Sequence, residues 1–180
     1  MKAKAALILV PLAAMWVVEL VNLLVDHRLV EWGILPRTVP GLLGIPLSPF
    51  IHGTPSHALS NSIPFVVLGG AVLIQGARHY ILISVLVIFG GGGIVWLMAR
   101  ASFHVGASGV VFGYFGYLLA RGWYEHTLKA IAIAVAALML YGGVLLGLAS
   151  TSSEISWEGH LAGFLVGILG ARMIKSHPRT

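Results

Sequence analysis

The chain contains no cysteine among its 180 residues. This absence excludes a disulfide framework, a thiolate nucleophile and any cysteine-ligated metal centre, and leaves the redox compartment open. Charge is nearly as scarce: 9% of residues are Asp, Glu, Lys or Arg, against 58% hydrophobic, and mean hydropathy is +0.94. A soluble domain carries about 25% charged residues, so the composition excludes that class and identifies an integral membrane protein. The net charge of +5 does not point to nucleic acid, because the basic residues sit scattered at the ends of apolar segments with no basic stripe. No nucleic-acid partner is expected. There is no HExxH pair, no acid base beside His52, His57 and His160, and no Lys or Ser/Thr after the Gly90 to Gly93 run as a phosphate loop requires. Neither a metal nor a cofactor is expected.

What the chain does have is glycine and long apolar runs. Most of its 23 glycines lie within apolar stretches, where small residues let transmembrane helices approach closely. Those stretches fall at about Ala5 to Val25, His57 to Ile74, Tyr80 to Met98, Ser108 to Ala120, Leu128 to Leu148 and His160 to Ile174. The expected fold is an all-α polytopic bundle of six transmembrane helices in one domain, residues 1–180, with no composition shift, low-complexity tract or obvious repeat. The first stretch lacks a cleavage site and runs straight into a charged loop, so it reads as a retained helix. Both termini then share a side. With them go Lys2, Lys4, Arg78, Arg121, Lys129, Arg172, Lys175 and Arg179, against Arg28, Arg37 and Arg100 opposite, which makes the side of the termini cytoplasmic. The loop from Asp26 to Ser56 carries five prolines and is apolar through Trp32, Leu42, Leu43, Ile45 and Phe50, which suits the outer interface.

Two short segments open on reactive side chains: Ser108 in Gly106-Ala107-Ser108-Gly109, and His160 in Gly159-His160-Leu161-Ala162-Gly163. Ser108 lies 13 residues before Arg121 and His160 lies 12 before Arg172, roughly 20 and 18 Å of helix. Both fall short of a ~30 Å hydrocarbon core. If those arginines mark one membrane face, a nucleophile and a base lie at nearly one depth, which suggests a protease site.

The residues around them resemble the rhomboid intramembrane serine proteases, over about His52 to Ile174. Three elements match in order: His52-x4-His57-x3-Asn61 on the second span, Gly106-x-Ser108-Gly109 opening the fourth, and His160-x2-Gly163-x3-Gly167 on the sixth. The resemblance implies Ser108 as nucleophile, His160 as general base, His57 and Asn61 as oxyanion-binding groups, and His52 as a structural holder of the first loop. It implies transmembrane-helix substrates that reach the site laterally through the lipid bilayer, with a small residue at the cleaved position. Two features depart from the family: Phe112 stands where tyrosine is common, and Trp32 and Arg37 are separated where many members have adjacent Trp-Arg, so loop anchoring is expected to differ.

The chemistry is consistent with those roles. A serine hydroxyl is a poor nucleophile until a neutral imidazole takes its proton. At a helix start the Ser108 N–H has no intrahelical partner and lies at the positive end of the macrodipole, which favours an oxyanion. His57 and Asn61, four apart, share a helix face and offer N–H donors. Glu158, two residues from His160, projects elsewhere and Glu19 lies on another span, so a dyad is read rather than a triad, with Phe112 packed on the imidazole. Gly109 with Gly113, and Gly163 with Gly167, form GxxxG pairs that would let the two helices close on each other. The polar stripe Glu19, Asn22, Asp26 is read as a partner for loop groups, and Gly90 to Gly93 as a packing notch or kink. The expected function is a serine endopeptidase of a bacterial inner membrane. The alternatives are a rhomboid-like helix-binding chaperone or adaptor and, behind it, a small transporter. No sequence feature specifies an oligomer.

Overall fold

A computed structural model describes residues 2–143, 145 and 156–174. Each of the six apolar stretches holds helix among its described residues, where there is no strand beyond a single bridge between Ile34 and His104. Helix α1 runs Lys2–Leu24 and α3 runs Pro55–Gln75. Thr54 caps α3 by accepting the His57 N–H at 3.1 Å, with Pro55 in the first turn where its missing N–H costs nothing. The third stretch is α4 (Ala77–Leu86), a π-helical turn (Val87–Gly91) and α5 (Gly92–Met98) in continuous succession. Lys4–Leu24, Pro55–Gln75 and Ala77–Met98 are long and apolar enough to cross a membrane. The remaining three helices are shorter: α6 (Ser108–Glu125), α7 (Leu128–Tyr141) and α8 (Trp157–Met173). Beyond Tyr141, residues 144 and 146–148 of the expected fifth span lie outside the described residues.

One expectation needs correction. Arg121 does not mark the end of its helix. It is buried inside α6, which continues to Glu125 instead of ending near Ala120. A buried guanidinium needs partners, and Arg121 has them: an ion pair with Glu125, the Tyr117 ring 5.7 Å below, and the Ile174 carbonyl, to which it donates at 2.7 Å. The last contact ties the end of α6 to the end of α8.

The first loop has structure of its own. It holds a 3-10 turn (Arg28–Trp32), the helix α2 (Val39–Leu47) and a second 3-10 turn (Ser48–Phe50). Thr38 caps α2 by accepting the Gly41 N–H at 3.2 Å. Gly41 and Gly44 lie directly on the backbone of Leu35 and Gly33, where a Cβ has no room. The loop is anchored to the end of α5: Arg37 Nη1 donates to the carbonyls of Ala99 (2.8 Å) and Leu97 (3.3 Å), and Trp96 Nε1 donates to the Thr38 carbonyl at 2.8 Å. A tryptophan and an arginine thus do meet here, but Trp96 comes from α5 and not from the loop.

At the centre of the bundle stands α6, with Tyr114, Phe115, Tyr117 and Leu118 fully buried. Its most extensive contact is with α8. The two GxxxG pairs meet: a Cβ on Gly163 would strike the Gly109 carbonyl, and one on Gly167 the Gly113 carbonyl. The glycine run forms the notch expected of it, Gly91 lying against Gly163 of α8 and Gly92 against Ile45 of α2.

Candidate active site

Ser108 is the first residue of α6, so the segment ahead of it sets its position. That segment turns at Gly106, whose φ of +110° favours glycine. The Gly106 N–H donates to the Ser48 carbonyl at 2.9 Å and the Ala107 N–H to His52 Nε2 at 3.3 Å. His52 is fully buried, and its own carbonyl accepts from Asn22 Nδ2 at 2.8 Å. Burial first, and the neighbouring His57 second, push the His52 pKa down to about 4. The ring therefore stays neutral near pH 7 and keeps its acceptor nitrogen for Ala107.

His57 and Asn61 both lean on the same turn. A Cβ at Gly106 would sit 2.9 Å from His57 Nε2 and 3.4 Å from Asn61 Nδ2. The absent side chain is what lets these two donors approach the backbone two residues before Ser108. Asn61 is 6% exposed, and its Nδ2 has no hydrogen-bond partner among the described residues. Such an unmatched buried donor is costly and demands an explanation.

On the other side, α8 presents His160, which is buried and stacked on Phe112 at 4.2 Å between centroids and 9° between planes. His57, Asn61, Ser108, Phe112 and His160 line one cavity of about 690 Å³. The inner ends of the helices fix the levels: Arg121, 13 residues after Ser108, bonds Ile174, 14 residues after His160. Ser108 and His160 thus sit equally far, roughly 20 Å, from one shared contact.

Among the described residues, no carboxylate lines the cavity that holds this cluster. Glu158 faces Arg100, at 3.6 Å from its Nε and accepting its backbone N–H at 3.4 Å. Of the polar stripe on α1, Asn22 serves loop groups, bonding the His52 carbonyl and the Leu29 N–H. Asp26 is exposed, and the Glu19 carboxylate is fully buried with neither oxygen bonded to a described residue. Sequence reading missed His104 and Ser156, whose Nδ1 and Oγ lie 2.7 Å apart at the edge of the site. Their signal was positional: each precedes a site residue, Ser108 or His160, by four.

A family profile described as Rhomboid domain matches residues 41–176. The chain belongs to the rhomboid family. This rhomboid is 32% identical over 181 residues to an uncharacterized protein of Mycobacterium tuberculosis, covering 96% of this chain and 75% of the relative. It is 33% identical to an uncharacterized protein of Mycobacterium leprae, covering 96% and 72%. It is also 30% identical over 126 residues to RHOMBOID-like protein 4 of Arabidopsis thaliana, covering 67% of this chain and 31% of that protein. The profile match contains every residue of the cavity cluster.

Proposed function

We propose that this rhomboid is an intramembrane serine endopeptidase that cleaves transmembrane-helix substrates near their outer end through an acyl-enzyme. The observation that carries this reading is the single cavity shared by Ser108, His160, His57 and Asn61, with the Asn61 amide buried and unmatched. His160 takes the Ser108 proton as Oγ attacks the peptide carbonyl. The Ser108 N–H, His57 and the free Asn61 N–H receive the oxyanion, and protonated His160 returns the proton to the departing amine. A water from the cavity then releases the acyl group, with His160 again as base.

In this scheme the Phe112 ring, stacked on the imidazole, orients it. A helical substrate hides its carbonyls in i to i−4 bonds, so substrates are single helices that unwind locally at small or helix-breaking residues. The cavity opens at the α3 N-terminus, the end remote from Arg121 and the cytoplasmic charges. We assign residues 1–180 to one domain with both termini in the cytoplasm of a bacterial inner membrane, working without cofactor, metal or nucleic acid. An active-site fluorophosphonate tests the reading: labelling of the wild type, absent in Ser108→Ala and weakened in His160→Ala, is expected. A folded wild type that takes no label overturns it.

A further inference from the structure

We infer that His104 and Ser156 form a positioning latch that sets His160 relative to Ser108, an inference that rests on the protease reading above. The backbone entering Ser108 is held by the first loop: His104 N–H and C=O pair with Ile34 at 2.9 and 3.0 Å, Gly106 with Ser48, and Ala107 with His52. None of these bonds reaches α8, which carries the base. The His104 side chain does. Its Nδ1 lies 2.7 Å from the Oγ of Ser156, the N-cap of α8, one turn ahead of His160.

One proton arrangement satisfies every partner. Ser156 Oγ accepts the Gly159 N–H at 3.2 Å, so its own hydrogen goes to His104 Nδ1. His104 Nε2–H then donates to the Arg100 carbonyl at 3.1 Å. The ring is 4% exposed, and burial holds its pKa below the ordinary histidine value, against the opposing pull of the Arg100 carbonyl and Glu158. The neighbouring Arg100–Glu158 pair also bridges to α8, but the Arg100 side chain is 35% exposed and an ion pair so open to water holds little. The latch is the buried member of the two, and Ser156 lines the same cavity as Ser108 and His160. A dyad tolerates roughly 0.5 Å of misplacement, and both ends of the latch stand one turn from a reacting residue.

The test uses the full chain in lipid vesicles, with His104→Phe, which keeps ring volume, and Ser156→Gly, which removes the hydroxyl while leaving an acceptable N-cap. Fluorophosphonate labelling rate, and kcat and KM on a transmembrane-helix reporter, are read together. We expect labelling and kcat to fall about 10- to 100-fold in both variants with KM within about twofold. His104→Asn, whose amide oxygen can accept from Ser156, should recover most of the loss. The double variant His104→Phe with Ser156→Gly should be no worse than the poorer single one. Wild-type rates in both single variants, a change confined to KM, or no recovery in His104→Asn overturns the latch while leaving the protease reading standing. An unlabelled wild type overturns both.

Discussion

The Asn61 amide combines burial, the lack of any hydrogen-bond partner among the described residues, and a place on the cavity that holds Ser108. Removing it costs the fold no bond and, on the protease reading, costs the reaction a donor. Asn61→Ala is therefore expected to lower kcat about 10²- to 10³-fold with the thermal unfolding midpoint at or above wild type, measured on a reporter helix and by calorimetry. A stability loss matching the activity loss would mark Asn61 as structural. Single residues were legible in the sequence where chemistry and spacing coincide, as with His57 and Asn61 on one face or Ser108 at a segment start. They were illegible where the partner is distant. Nothing local announces that Arg121 would bond a carbonyl 53 residues on, or His104 a hydroxyl 52 residues on.

Between elements, glycine decides the geometry. The GxxxG pairs predicted a close approach of α6 and α8, and Gly163 does lie on the Gly109 carbonyl with no room for a side chain. Gly163→Leu is expected to force the helices apart and abolish reporter cleavage while the protein still inserts, as judged by membrane fractionation; full activity would remove this packing role. The helical content of the first loop was not drawn from the sequence, although Pro40 sits in the first turn of α2, where proline is tolerated. The loop's anchoring was hidden: Trp96 and Arg37 meet across the fold, although they are 59 positions apart in the chain. The length of α6 was misjudged because a charge inside an apolar helix was read as its end, when Glu125 one turn on was there to pair with it.

For the whole molecule, the distribution of charge gives an orientation that can be measured directly, because the chain has no cysteine to interfere. A membrane-impermeant maleimide should label Thr54→Cys in intact cells and His126→Cys only after permeabilisation. Both are exposed, Thr54 as the N-cap of α3 and His126 between α6 and α7. The reverse pattern would invert the topology and place the cavity mouth in the cytoplasm. The all-helical bundle was readable from hydropathy alone, since a bilayer leaves a chain so apolar few other choices.

At two points of the α6–α8 contact the facing surfaces are main chain, at Gly109 with Gly163 and at Gly113 with Gly167. Main chain has no rotamers to exchange, so the two helices share one stiff seam, and breathing of the bundle cannot be absorbed there by repacking. On the protease reading, any widening that admits a substrate falls on the α3 side of the cavity, along His57, Ser60, Asn61 and Pro64, which leaves Ser108 and His160 at constant separation while the doorway moves.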